Sequence, residues 1–125
     1  AKVEYPERCV VCFAGDGDIQ MGIAELGSAV QSGAKPLILV LNNGSYGTIR
    51  MHQERDYPGR ISGTTLVNPD FTAVAQAYGM MGIKVAHTQE FAAAFKTLSE
   101  APHGGILELD ISIEAITPTK KLSEL

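Results

Sequence analysis

Positive charge, cysteine, histidine and long apolar runs are all in short supply here, and each shortage removes a class of function. The 125 residues carry 10 Lys and Arg against 14 Asp and Glu, a formal charge of −4. The longest basic run is Lys120-Lys121. That leaves no electrostatic footprint for nucleic acid or an anionic membrane surface. No stretch approaches the roughly 18 to 20 consecutive apolar residues of a membrane span, and no basic-then-apolar signal sequence opens the chain. These absences predict a cytoplasmic protein. The two cysteines, Cys9 and Cys12, read as C-x-x-C, but a strand's period of two turns residues three apart to opposite faces, so the pair is expected to be two core-packing thiols. With histidines scattered at 52, 87 and 103, no zinc spacing forms.

What is present is apolar material in alternating blocks. A hydrophobic content of 45% over 125 residues suits one domain that buries a core without disulfide or metal staples. Cys9 to Ala14 is a continuous apolar run stopped by glycine, which predicts a central strand covered on both faces. Between Met21 and Ser32, Ile23, Leu26 and Val30 form one helical stripe, closed by Gly33. Pro36 to Leu41 repeats the buried-strand pattern and ends on Asn42-Asn43-Gly44. Strand, helix and strand at this spacing make a parallel crossover, so both strands finish at one edge of the sheet.

The second half is less regular at first. Residues 46–67 hold only a short helix through Ile49 to His52 and no sustained period; long irregular connections of this kind are commonly functional. Asn68-Pro69 predicts an N-cap and first turn for a helix with Phe71, Val74, Ala75 and Tyr78 on one face and Gly79 at its end. Ile83 to Val85 suits a strand nearer an edge, and Thr88 caps a helix carrying Phe91, Phe95 and Leu98. In a last strand, Ile106 to Ile111, Glu108 and Asp110 alternate with leucines, so one face should meet water or a partner. The sum is an α/β chain with an open, mainly parallel sheet of four strands and helices on both faces. It reads as a single domain with its core at 9–113 and flanks at 1–8 and 114–125; with no opening Met and a polar, proline-containing tail, it looks like a piece of a longer chain.

In open parallel sheets ligands bind beyond the carboxyl ends of the strands, where helix N-termini point, and Asp16 and Asn43 both fall there. An aspartate beside a helix N-terminus repels a bound phosphate unless a divalent cation lies between the two anions. Mg²⁺ prefers six oxygens and takes one or two from side chains, leaving the rest to phosphate and water. Asp16 offers a charged oxygen, Asn43 a neutral one, and the Gly44-Ser45 turn a main-chain carbonyl. Gly15, Gly17 and Gly44 let the backbone come close to phosphates.

Gly15-Asp16-Gly17, followed after residues 18–41 by Asn42-Asn43, resembles the diphosphate-binding signature of thiamine diphosphate enzymes. The continuation through Gly44-Ser45-Tyr46-Gly47-Thr48-Ile49-Arg50, with Asn68-Pro69-Asp70-Phe71 and Ala77-Tyr78-Gly79, is similar to the C-terminal cofactor domain of the acetolactate synthase-like and 2-oxo acid decarboxylase branch. The likeness spans roughly Cys9 to Ile113. It implies Mg²⁺ held by Asp16, Asn43 and the Ser45 carbonyl, and a diphosphate contacted by main-chain groups of Gly17, Asp18, Tyr46, Gly47 and Thr48, with Gly15 opening the turn. Asp18 departs from the small or weakly polar residue common at that position, and its carboxylate is expected to face solvent.

The resemblance further implies a longer, three-domain parent acting on a 2-oxo acid, assembled as a homodimer or homotetramer. Its activating glutamate would come from the N-terminal pyrimidine-binding domain of a neighbouring subunit. No catalytic residue is assigned within this chain, since Glu25 and Glu54 have no motif support, and the isolated domain is expected to be inactive.

Other readings compete less well. Asp16-Gly17-Asp18 after an apolar strand also resembles the first motif of haloacid dehalogenase-like phosphohydrolases, with Asp16 as nucleophile and Asp18 handling protons, but that leaves Asn42-Asn43 unexplained. A dinucleotide-binding turn needs a glycine earlier than Gly22, and a calcium loop starting at Asp16 needs glycine where Met21 stands. A noncatalytic assembly domain is the remaining alternative.

Overall fold

The computed structural model describes residues 1–115 and 121–124; part of the flank read at 114–125 therefore lies outside the described residues. Strands β1 (Val11–Gly15), β2 (Leu37–Asn42), β3 (Met81–Val85) and β4 (Gly105–Asp110) form one sheet in the order β1-β2-β4-β3, every neighbour parallel. Helices α1 (Asp16–Met21), α2 (Glu25–Gln31), α3 (Gly47–Asp56), α4 (Phe71–Ala77) and α5 (Phe91–Ser99) fill the connections. Among the described residues no helix is long and apolar enough to cross a membrane.

The core is two apolar layers, one on each face of the sheet. On one face Ile38, Val40 and Ile106 meet Ile19 of α1, Leu26 of α2, and Phe71 and Ala75 of α4. On the other, Leu37, Leu39, Val85 and Leu107 meet Leu98, Phe91 and Phe95 of α5. The expected α/β sheet with helices on both faces is thus found.

Strand order corrects two expectations. Although its sequence is as apolar as a central strand's, β1 lies at an edge. Helix α5 covers β3 and β4 but does not extend to β1, so Phe13 is left 70% exposed. Cys9 and Cys12, expected in the core, are exposed too: Cys9 precedes the strand altogether, and Cys12 lies on the opposite face of this edge strand from Phe13. Conversely β4, read as half wetted, runs between β2 and β3, and Glu108 is only 2% exposed. Its Oε1 accepts from Asn42 Nδ2 at 2.7 Å and from Lys84 Nζ at 3.2 Å. A buried carboxylate is tolerable when charge and hydrogen bonds are both supplied. The Glu108 contact in turn raises the Lys84 ammonium above its ordinary value.

Three helix boundaries also move. The single helix expected over 21–32 is two: α1 starts directly at Asp16, and the chain turns at Gly22, whose amide donates to the Ile19 carbonyl, before α2 begins. Val30 of the expected stripe stays exposed, while Gly33 holds the positive φ that ends the helix. Asn68 does not cap α4. Asp70 does, its Oδ1 accepting from the Thr72 and Ala73 amides at 2.9 and 3.0 Å. The Thr72 hydroxyl and then the Ala73 amide hold the Asp70 carboxyl below its ordinary value. Likewise a 3₁₀ turn over Thr88–Glu90 precedes α5, so Thr88 lies inside a turn instead of capping the helix.

Candidate functional site

A cleft of about 560 Å³ opens at the carboxyl edge of β1 and β2. Its walls include every residue expected to meet the metal or the diphosphate, Gly15 to Asp18 on one side and Asn43 with Ser45 to Thr48 on the other, while Asn42 and Gly44 of the signature do not line it. Met21, Leu41, Ile49, Ile111 and Ala115 add apolar surface that the motif did not single out. Because Gly15 pairs with Leu41 in the parallel ladder, the two strand ends deliver Asp16 and Asn43 side by side.

Asp16 is 2% exposed. Its Oδ2 accepts from Asn68 Nδ2 at 2.6 Å. No Lys, Arg or His nitrogen among the described residues forms an ion pair with it. A carboxylate taken out of water with only a neutral amide for company is an electrostatic deficit that a bound cation would cancel. Nearby oxygens are of the hard type a magnesium-like ion prefers. Asn43 Oδ1 accepts from the Ser45 amide at 3.0 Å and retains a second lone pair. Among the described residues nothing donates to the Ser45 carbonyl.

The Ser45 segment is fixed from behind. Ser45 Oγ donates to the Thr64 carbonyl at 2.8 Å, the Tyr46 amide donates to the same oxygen, and Ser45 bridges Thr65 antiparallel. The irregular stretch 57–67 thus serves as a backstop for the turn after β2. Thr64 itself is 1% exposed, and its hydroxyl has no hydrogen-bond partner among the described residues. Thr64→Val is therefore expected to leave stability unchanged or raise it by up to about 1 kcal/mol, since an unpartnered buried hydroxyl costs roughly that much or more. Urea unfolding checks this; a loss above about 1 kcal/mol would mean that the hydroxyl has a partner.

Anion-binding capacity comes chiefly from α3, longer than the short turn of helix expected at 49–52. Its first turn contains no acidic residue and no side chain caps it, and the first amide to find an intrahelical partner is that of Arg50. The amides of Gly47, Thr48 and Ile49 are left for an acceptor in the cleft. Tyr46 leans across Gly17 so closely that a Cβ there would lie 2.4 Å from the ring, and Gly44 takes φ +66° in the turn. Asp18 is exposed and turns back on its own helix, Oδ2 accepting from the Gly15 amide at 3.1 Å.

Behind the cleft runs an amide network that sequence reasoning did not assign to the site. Gln20 Nε2 donates to Asn68 Oδ1 at 2.6 Å, Asn68 Nδ2 donates to both Asp16 Oδ2 and Asn42 Oδ1, and Asn42 Nδ2 donates to Glu108. Proline after Asn68 was the available signal, since it disfavours helix at Asn68 and leaves the side chain free to reach elsewhere.

Residues 1–110 match the family model described as the thiamine pyrophosphate enzyme C-terminal TPP binding domain. The chain belongs to this family. Thiamine pyrophosphate is thiamine diphosphate under another name, so the resemblance read from Gly15 to Asn43 stands. Among relatives, the acetolactate synthase large subunit of Haemophilus influenzae is 44% identical over 90 residues, 71% of this chain and 16% of that protein. The acetolactate synthase isozyme 3 large subunit of Escherichia coli is 35% identical over 115 residues, 90% of this chain and 20% of that one. Among solved structures, the thiamine diphosphate-dependent 4-hydroxybenzoylformate decarboxylase of Rhodococcus jostii RHA1 superposes with a TM-score of 0.81 at 33% identity, covering 90% of this chain and 21% of that one. The chain therefore spans about a sixth to a fifth of the length of these relatives. Family membership displaces the phosphohydrolase alternative, and Asp18, folded back on Gly15, is engaged at its own helix start.

Proposed function

We propose that this domain holds the diphosphate of thiamine diphosphate through Mg²⁺, as the cofactor domain of a 2-oxo acid decarboxylase or carboligase resembling acetolactate synthase. The observation that carries the reading is the Asp16 carboxylate, buried at a strand end in the cleft with a neutral amide as its hydrogen-bond donor and no ion-pair partner among the described residues. In this reading Asp16, the Asn43 side chain and the Ser45 carbonyl hold the metal. Main-chain groups of Gly17, Asp18, Tyr46, Gly47 and Thr48 meet the diphosphate, and Gly15 shapes the turn. The free amides opening α3 add partial positive charge where the phosphates rest.

When bound, thiamine diphosphate supplies a carbanion that adds to a 2-oxo acid carbonyl and an electron sink as CO₂ departs. This chain's contribution is to bind, orient and partly desolvate the diphosphate end. The group that activates the aminopyrimidine is proposed to be a glutamate from the N-terminal domain of a neighbouring subunit in a homodimer or homotetramer. The exposed Phe13 on β1, and Met21 and Ile49 in the cleft wall, suit a face that another domain covers. Residues 9–113 are the proposed folded unit.

Calorimetry separates cofactor binding from a purely structural role. Thiamine diphosphate with Mg²⁺ should give saturable heat, whereas Mg²⁺ alone should bind far more weakly, because the phosphates complete its coordination. Equal, weak signals in both titrations would favour the assembly-domain alternative. The domain by itself is expected to turn over no 2-oxo acid, and detectable pyruvate decarboxylation would place the activating group inside this chain.

A further inference from the structure

We propose that Asn68 is a positioning residue for the Asp16 carboxylate, aiming one of its oxygens at the metal; the inference rests on the cofactor reading above. Asn68 lies on the approach to α4, far from Asp16 in sequence. Its side-chain nitrogen donates to Asp16 Oδ2 at 2.6 Å and to Asn42 Oδ1 at 2.8 Å. An amide nitrogen has two hydrogens, and both are committed. Since Oδ2 is occupied, and no donor among the described residues reaches Asp16 Oδ1, the carboxylate is held with that oxygen available to a cation.

The orientation of the Asn68 amide is itself determined. Its oxygen accepts from Gln20 Nε2 at 2.6 Å, so a flip would set two NH₂ groups against each other at Gln20 and two oxygens against each other at Asp16. At the far end, Asn42 Oδ1 also accepts from the Gly44 amide at 3.1 Å, and Asn42 Nδ2 is held by the buried Glu108. One side chain thereby joins both motif-bearing strand ends, fixing the acidic ligand relative to the turn that presents Asn43 and Ser45. Partners of this kind set the direction of a metal ligand, and losing one commonly costs 10- to 100-fold in metal affinity.

Asn68→Leu keeps the approximate volume and removes both donors. Because Asp70, not Asn68, caps α4, the substitution leaves the helix start intact. In the complete enzyme carrying this domain, thiamine diphosphate binding is titrated with Mg²⁺ by calorimetry. Asn68→Leu should raise the Mg²⁺ concentration needed by roughly ten- to a hundredfold, with thiamine diphosphate affinity returning to near wild type at saturating Mg²⁺. A merely structural role would not confine the defect to the metal requirement.

Gln20→Met supplies the second arm. It removes the bond that orients Asn68 without touching Asp16, so alone it should shift the Mg²⁺ requirement several-fold, and in the Asn68→Leu background it should add nothing. The inference is overturned if wild type binds in an Mg²⁺-dependent way and Asn68→Leu shows the same Mg²⁺ requirement, or if the two substitutions simply add. If wild type itself shows no Mg²⁺-dependent binding, the cofactor reading falls and this assignment falls with it. Should Asn68→Leu fail to fold, by loss of its far-ultraviolet dichroism, Gln20→Met alone decides: no shift in its Mg²⁺ requirement overturns the inference.

Discussion

Asp16→Asn should lower the affinity for thiamine diphosphate with Mg²⁺ by a hundredfold or more, without destabilising the metal-free protein. The carboxylate is nearly enclosed, and its partner is a neutral amide. In the absence of metal such a charge is a cost, so a neutral isostere that can still accept from Asn68 removes a burden instead of a support. With metal bound the sign reverses. A unit charge about 4 Å from another contributes on the order of 4 kcal/mol at the effective dielectric of a partly wet site, more for a dication, and a hundredfold loss needs only about 2.7 kcal/mol. Thermal unfolding makes the contrast direct. Ligand at about 100 times its Kd stabilises the wild type by about 2.7 kcal/mol, and at the same concentration that increment should fall to about 0.4 kcal/mol or less in Asp16→Asn. Asp18→Asn is the control, expected to bind within a few-fold of wild type because that carboxylate is exposed and turned to Gly15. A ligand-induced shift of wild-type size in Asp16→Asn would refute the metal role.

The largest effect on stability is expected from Phe71→Ala. Phe71 is 0% exposed and packs in the cluster formed with Ile38, Val40, Ile106, Ala75 and Met80, where α4 lies on β3 and β4. Emptying such a position costs about 3 to 5 kcal/mol, against a total stability of roughly 5 to 15. With urea slopes of about 1 to 3 kcal/mol per molar, the midpoint should fall by roughly 1 to 5 M with little change of slope. Phe71→Leu should lose clearly less. Equal midpoints for wild type and Phe71→Ala would mean that this cluster does not support the fold. The position also matters to the site, since only Pro69 and Asp70 separate it from Asn68.

The alternation of apolar blocks was enough to read the parallel sheet, because strand, glycine and amphipathic stripe are local signals. Burial was not local. Cys9 to Ala14 looks central by composition, yet the covering of a strand depends on where α5 comes to rest, and α5 is encoded far downstream. Glu108 misled in the opposite direction: an acidic residue alternating with leucines normally marks a wet face, and here Asn42 and Lys84 satisfy it inside the sheet. Helix α3 was read as one turn because none of its residues is buried and its sequence carries no apolar period. At the site, Asp16 and Asn43 were legible since phosphate and metal chemistry restrict residue types at strand ends. Asn68 was not, because a residue that orients another carries no chemical signature of its own, and the asparagine before proline doubled as a plausible cap while Asp70 filled that role.

The strand order has a consequence for how the molecule comes into being. Since β4 sits between β2 and β3, a nascent chain that has emerged only as far as residue 104 holds one strand pair and a lone strand with nothing to join them. Long-range pairing of this kind comes late and slowly, leaving apolar edges uncovered meanwhile. Glu108, which holds Asn42 in place behind the cleft, arrives with that last strand, so the pocket is completed only as the sheet itself closes.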